Sequence, residues 1–274
     1  MNLKKIWQAN QFNLLIIWGL TVILLKLGWL LFFSGVAIWL LLLYLTARGI
    51  FWTYASFISL SPDTSYERLL KAVSCQPVID YPYFVLGMIT ARKEAWPETI
   101  PLFEKAVKYA SPKKRQQYQI ILGEAYRENG DYETALTIFN EALQKGISTA
   151  KLYTDLAITH YQMQNYSNAL TAAEQARSLN PAATETVLIL GKIHFALKDF
   201  QAAKADYEWA IEHISYPVES YYWLGRIEYE LGNFPSSVNH LETALQRTEE
   251  DPLLSSISST EIEEWLNNAK AKLE

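Results

Sequence analysis

From Met1 to Leu60 the chain contains no aspartate or glutamate, and its only charged side chains there are Lys4, Lys5, Lys26 and Arg48. The rest of the chain carries 20 basic and 29 acidic side chains, so a segment of net charge +4 precedes one of net charge −9. A region this acidic lacks the basic stripe that neutralises phosphates, which excludes nucleic acid as an expected partner. Its charge suits a solvated surface that meets other proteins.

Residues that carry chemistry are also scarce. Cys75 is the single cysteine, so neither an intrachain disulfide nor a cluster of thiolate metal ligands can form. The chain has no glycine-rich phosphate loop, no nucleophile elbow and no His-Glu-x-x-His pattern. His213 and His240 lack the spacing of a zinc site, and His160 and His194 occupy equivalent places in a periodic pattern, as packing residues would. We therefore expect no catalytic residue, no metal and no cofactor.

One hydrophobic run stands out, because residues 14–45 contain a single charged side chain. A run of about 20 apolar residues is enough for one membrane-spanning helix, so this longer run predicts two short transmembrane helices, residues 11–25 and 29–46. Residues 1–60 would then form a membrane anchor made of a transmembrane helical hairpin and an interfacial segment. The aromatic side chains of that segment are Phe51, Trp52, Tyr54 and Phe57.

The sidedness of such an anchor follows from its basic residues. Lys4 and Lys5 before the hairpin and Arg48 after it predict that both ends face the cytoplasm. The expected protein is then an integral membrane protein in contact with the lipid bilayer, with the rest of the chain on the cytoplasmic face. The alternative is a single long tilted span that carries the rest of the chain to the opposite face.

The remainder of the chain repeats itself with a nearly constant period. Five pairs of a leucine and a small residue begin at Leu86, Leu122, Leu156, Leu190 and Leu224, and the steps between them are 36, 34, 34 and 34. An aromatic residue follows nine positions after each small residue, at Trp96, Tyr132, Tyr166, Phe200 and Phe234. An alanine closes each unit at Ala106, Ala142, Ala176, Ala210 and Ala244. This pattern resembles the tetratricopeptide repeat (TPR).

The resemblance implies an all-α fold, a TPR superhelix or α-solenoid in which each repeat is a pair of closely crossing helices. Five repeats are expected at residues 80–115, 116–149, 150–183, 184–217 and 218–251. Since a single helical pair cannot bury its apolar faces, the repeats must stack, and the ends need capping helices. We expect an N-terminal capping helix in residues 61–79 and a C-terminal one in residues 252–274.

TPR proteins bind their partners mainly along a concave groove lined by the first helix of each repeat. Transferring the family's groove positions to this sequence predicts a largely apolar and aromatic surface with four cations, Arg92, Arg127, Lys192 and Arg226, that would steer acidic flanks of a partner. The predicted groove residues are Phe84, Met88, Arg92, Ile120, Glu124, Arg127, Ile158, Tyr161, Leu188, Lys192, Phe195, Tyr222, Arg226 and Tyr229.

These features predict a non-catalytic, membrane-anchored scaffold or assembly factor that binds a protein or peptide segment with apolar or aromatic anchors in its groove. An alternative of another class is a structural subunit of a membrane protein complex, in which the transmembrane hairpin makes the specific contacts. The sequence provides no positive indication of a third class, an enzyme.

Overall fold

The computed structural model describes residues 29–58, 61–251 and 257–273. Throughout these residues the regular structure is helical and there is no strand, so the all-α prediction is confirmed. The chain divides into two compact units, Met1–Asn129 and Gly130–Glu274. This division falls inside the second predicted repeat, in the turn between its two helices.

The first unit contains helices of very different composition. Its described helices are α1 (Trp29–Phe57), α2 (Pro62–Ser74), α3 (Tyr81–Ala91), α4 (Trp96–Tyr109) and α5 (Pro112–Glu128). Proline occupies the first turn of α2, α3, α4 and α5, where its missing N–H has no helical acceptor to lose. The hydroxyl of Ser61 caps α2 by accepting the backbone N–H of Thr64.

The C-terminal part of α1 packs against α2 as a helical pair. A Cβ added at the buried Gly49 would lie 2.9 Å from the Cβ of Pro77 and 3.2 Å from that of Cys75, so the chain needs glycine there. Ser65 Oγ donates to the backbone oxygen of Ser56 at 3.2 Å, and the Arg68 guanidinium donates to that of Ala55. The predicted N-terminal capping helix α2 therefore has a partner of its own.

This packing corrects the interpretation of the apolar segment. Instead of ending at residue 46, α1 continues without interruption to Phe57, whose ring stacks on Tyr81 at 4.5 Å between centroids. Trp52, expected at a membrane interface, lies beneath the ammonium of Lys71 at 4.9 Å. The aromatic residues Trp52 and Phe57 of the expected interfacial segment thus contact the protein's own helices.

No helix in the described ranges combines the length and apolarity required to cross a bilayer. The prediction of an integral membrane protein with repeats on the cytoplasmic face is therefore wrong, and so is its single-span alternative. The predicted first span, residues 11–25, lies outside the described residues. The alternative function as a subunit that acts through a transmembrane hairpin loses its basis in the described part of the chain.

The second unit begins with one helix, continues with three helical pairs and ends with a terminal helix. Its described helices are α6 (Tyr132–Gln144), α7 (Ala150–Gln162), α8 (Tyr166–Leu179), α9 (Thr184–Ala196), α10 (Phe200–His213), α11 (Val218–Glu230), α12 (Phe234–Glu250) and α13 (Ser259–Lys270). Helix α13 covers the apolar surface of the last helical pair, α11 and α12. Its residues Ile262, Leu266 and Ala269 are buried in one cluster with Tyr222 and Leu241.

Where paired helices cross, the sizes of the two facing residues are complementary, a relation that we call the volume rule. A Cβ at Gly191 would lie 2.6 Å from Cζ of the buried Tyr207, and a Cβ at Gly225 would lie 2.5 Å from Cγ of Leu241. Where the first helix instead has Ala157, the second helix has Ala173 at the position equivalent to Tyr207 and Leu241, and both alanines are buried in one cluster. A large residue therefore faces glycine and a small residue faces alanine, which keeps each crossing close-packed.

The turns within the pairs use one left-handed residue each. These residues are Glu94, Gly130, Gln164, Lys198 and Gly232, with φ of 56°, 86°, 59°, 63° and 77°. Asp131 and Asp199 then cap the following helices by accepting backbone N–H groups at 3.1 Å. The register of the turns thus follows the repeat period.

Candidate functional site

In the first unit, the predicted groove residues lie on α3 and α5. Phe84 is half-buried and stacks on Tyr118 at 4.3 Å, whereas Met88 and Arg92 are exposed. Ile120 and Glu124 are half-buried. Arg127 is only 9% exposed, and its guanidinium lies 2.7 Å from the carboxylate of Glu128. Of the two predicted cations in this unit, Arg92 is therefore the one that faces solvent.

The C-terminal end of α1 and the residue after it place exposed apolar side chains at groove positions that the sequence analysis did not predict. Tyr54, Phe57 and Ile58 lie one repeat period before Met88, Ala91 and Arg92, and they are 50%, 59% and 77% exposed. A weak signal could have identified this extra helical pair. Three residues of this pair, Thr53, Ser65 and Ala72, lie one repeat period before Gly87, Thr99 and Ala106. Both sets consist of small or β-branched residues. Thr53 and Ala72 are also buried.

In the second unit, four predicted groove residues meet around one pocket of about 240 Å³ between α7 and α9. These are Ile158, Tyr161, Leu188 and Lys192. The remaining lining residues are Gln162, Glu185, Ile189 and Glu219, the last of which comes from α11. First helices of three successive repeats thus build a single depression with an apolar interior.

Ion pairs surround this pocket. Lys192 Nζ lies 2.6 Å from a carboxylate oxygen of Glu219, and this pair bridges α9 and α11. Lys151 Nζ lies 2.7 Å from the fully buried carboxylate of Asp155 and 3.6 Å from that of Glu185. The predicted steering cation Lys192 is therefore already engaged by an acidic side chain of the protein itself.

Arg226 is enclosed by aromatic rings. Its guanidinium carbon lies 3.7 Å from the ring centroid of Trp265 on α13 and 5.3 Å from that of Phe195. It donates to the hydroxyl of Tyr222 at 3.0 Å, and that hydroxyl donates to Glu261 at 2.6 Å. The geometry makes Arg226 a link between α11 and α13.

Two further predicted residues belong to this aromatic group. Tyr229 meets Trp265 edge-on at 5.4 Å, and Phe195 meets Trp223 in the same way at 5.1 Å. Tyr222 is only 1% exposed, so its ring lies in the core. The predicted residues of the last repeat therefore contact helix α13, whereas Ile158, Tyr161, Leu188 and Lys192 of the third and fourth repeats line the open pocket.

The phenols near the pocket stay protonated at neutral pH. Burial raises the pKa of Tyr161 and Tyr166 raises it further, whereas Arg226 lowers it and the carboxylate of Glu219 makes the smallest contribution, an increase. Burial raises the pKa of Tyr207 well above its ordinary value, with Glu219 again adding to the effect. The Tyr207 hydroxyl is buried and has no hydrogen-bond partner in the described residues. In the same residues, no group of three histidine, cysteine, aspartate or glutamate side chains could hold a metal ion.

Comparison with solved structures shows the same fold at low sequence identity. The APC/C hetero-tetramer Cut9–Hcn1 matches with a TM-score of 0.64 and 13% identity over 92% of this chain and 51% of that chain. A thermophilic TPR protein of Thermus thermophilus matches with a TM-score of 0.55 and 15% identity, over 71% of this chain and 98% of that one. YrrB, titled a TPR protein with an unusual peptide-binding site, matches with a TM-score of 0.51 and 17% identity, over 75% and 99%.

At the level of sequence, no curated protein matches the chain. A family model described as tetratricopeptide repeat, by contrast, matches residues 65–148, 154–217 and 190–252, which together make up more than half of the chain. The matched region begins inside α2 and extends to the end of α12. Since both the repeat pattern and the helical pairs agree with this match, the chain belongs to the tetratricopeptide repeat family.

Proposed function

We propose that this protein is a non-catalytic scaffold or assembly factor that binds a segment of another protein through the first helices of its repeats. The observation that carries this proposal is the pocket in the second unit. Ile158, Tyr161 and Leu188 leave apolar surface open there. On the same helices, by contrast, Leu152 and Leu190 are only 1% and 0% exposed. An open apolar depression with a polar rim is typical of a protein-binding site.

The position of the pocket supports the same conclusion. Its lining comes from α7, α9 and α11, the first helices of three repeats, and these are the helices on which TPR proteins generally bind their partners. YrrB, which has a peptide-binding site by its title, shares this fold. Repeated helical pairs provide several such surfaces side by side, which suits a protein that holds partners rather than one that transforms them.

The proposal can be tested by blocking the pocket with a bulky side chain. Gln162 is an exposed residue at the rim, so Gln162→Trp should fill the opening and leave the core intact. We expect the full-length chain to select linear peptides from a phage-displayed library, and Gln162→Trp to weaken their binding at least tenfold, about 1.4 kcal/mol.

A matched control is Gln175→Trp, which places the same side chain on the exposed face of α8, away from the pocket. This variant should bind the selected peptides as the unmodified chain does. If no peptide is selected, or if both tryptophan variants bind equally well, the pocket is not a protein-binding site.

A further inference from the structure

The size of the pocket in the second unit limits what it can hold. Its volume of about 240 Å³ is below the roughly 300–1,000 Å³ of small-molecule sites, and a whole helix could not enter it. The interior is formed by Ile158, Leu188 and Ile189 with the ring of Tyr161. These dimensions suit one large side chain that anchors a longer segment lying across the rim.

One cation and one carboxylate at the rim neutralise each other. Lys192 and Glu219 form a contact of 2.6 Å, with side chains only 32% and 21% exposed. On the other side, Lys151 lies 2.7 Å from the buried carboxylate of Asp155 and 3.6 Å from that of Glu185. A partner carboxylate that captured Lys192 would leave Glu219 without its cation in a partly buried position, and a partner cation that captured Glu219 would do the same to Lys192.

We propose that the pocket anchors one large uncharged side chain, aliphatic or aromatic, of a partner protein, and that the Lys192–Glu219 pair excludes charged side chains from this position. This inference rests on the proposed function and specifies its partner. It replaces the sequence-based expectation that Lys192 steers an acidic flank. Since an ammonium has three N–H donors and a carboxylate two acceptor oxygens, the paired groups can still bond to the partner's backbone amides.

The first test is a guest-residue series in a peptide that the full-length chain has selected from a phage-displayed library and that Gln162→Trp no longer binds. The anchoring residue is replaced in turn by leucine, phenylalanine, glutamate and lysine. We expect the two apolar guests to bind within about threefold of each other and the two charged guests to bind at least tenfold more weakly. Affinity should change by about twofold or less between low and high salt, because the site recruits no net charge.

The second test alters the ion pair. The double variant Lys192→Gln/Glu219→Gln leaves the net charge of the rim unchanged, so it should retain the affinity for apolar guests within about threefold and lose part of the discrimination against charged guests. Lys192→Glu removes the cation and leaves two neighbouring acids, so it should admit the lysine guest. Circular dichroism and thermal unfolding of each variant would verify that it is folded.

Three results would overturn the inference: preferential binding of the glutamate guest, a steep decrease of affinity with salt, or a loss of binding in Lys192→Gln that Lys192→Arg restores. Each of them would establish acidic recognition and leave the proposed function in place. Selection of no peptide at all, or of peptides that Gln162→Trp does not affect, would refute the proposed function and this inference together.

Discussion

The two compact units are built from the same kind of helical pair and yet carry opposite charge. Residues 1–129 contain 14 basic and 8 acidic side chains, a net charge of +6, whereas residues 130–274 contain 10 basic and 21 acidic ones, a net charge of −11. The difference extends into the interior. Of the described residues, the buried carboxylates Asp155, Asp206 and Glu228 all belong to the second unit.

Aromatic contacts join helices in both units, and the contrast lies in the burial of the ion pairs. In the first unit, the ion pair between Lys114 and Asp80 is solvent-exposed on the lysine side. In the second unit, Lys204 reaches across to Glu228 at 2.6 Å, and Asn233 donates to the same carboxylate at 2.7 Å. The same kind of helical pair thus accommodates both exposed and buried ion pairs, and the two units should respond differently to mutation and to pH.

The largest difference is expected when one ion-pair partner is removed. Lys204→Ala removes the ammonium from the carboxylate of Glu228, which is 3% exposed and keeps the hydrogen bond from the amide of Asn233. We therefore expect the free energy of unfolding to fall by about 3 kcal/mol. Lys114→Ala in the first unit should cost about 0–1 kcal/mol, because Lys114 is 49% exposed. Urea unfolding followed by circular dichroism measures both values. Equal losses would show that burial does not distinguish these pairs.

An intermediate effect is expected at the helix crossings, where both units follow the same volume rule. Gly87→Ala and Gly191→Ala would push a Cβ to 2.6 Å from the rings of Phe103 and Tyr207, so each should cost about 1–3 kcal/mol by overpacking. Combining Gly191→Ala with Tyr207→Ala imitates the natural pair Ala157 and Ala173. A double-mutant cycle should therefore show favourable coupling, whereas additive losses would contradict the rule.

The smallest expected effect is a pH response confined to the second unit. Burial lowers the pKa of His160 and His240 below the ordinary value of 6.5, while the neighbouring Glu228 and Glu208 partly oppose this for His240 and Lys204 adds to it. These two histidines therefore bind protons more readily in the unfolded chain than in the folded one. The free energy of unfolding should be highest above about pH 6.5 and should decrease as the pH falls below that value. The first unit contains no histidine.

Hydrogen exchange resolved by peptide, corrected for the intrinsic exchange rate, should therefore show weaker protection of the second unit at pH 5.5 than at pH 7.5. The first unit should change less over the same interval. The double variant His160→Gln/His240→Gln should flatten the response. A pH response that is equal in both units, or unaffected by this variant, would assign it to other groups.

The repeats could be predicted from sequence because the steric requirement at each crossing is local and periodic. Gly191 and Gly225 lie against Tyr207 and Leu241 as the close crossing requires, and the αL turns fall at the same spacing. The pair formed by α1 and α2 escaped detection because Trp52 and Thr53 replace the leucine and the small residue. The apolar composition of α1 also favoured a membrane interpretation.

The candidate site was only partly accessible to such reasoning. The repeat register places Ile158, Leu188 and Lys192 on first helices, and the structure brings them to one pocket. That Lys192 contacts Glu219, and that Trp265 covers Arg226, depends on how neighbouring helices rotate and on the direction of α13. These are tertiary properties, and no spacing within the sequence specifies them.

The chain's single thiol lies at the contact between α1, which the sequence analysis assigned to a membrane, and α2. Cys75 is half-buried at the end of α2, against Gly49 of α1. A maleimide or a spin label can therefore be attached to this one position without any change of sequence. Since α1 shields part of this thiol, its rate of attachment should rise when α1 moves away from α2, and the natural sequence thus provides a probe of that contact.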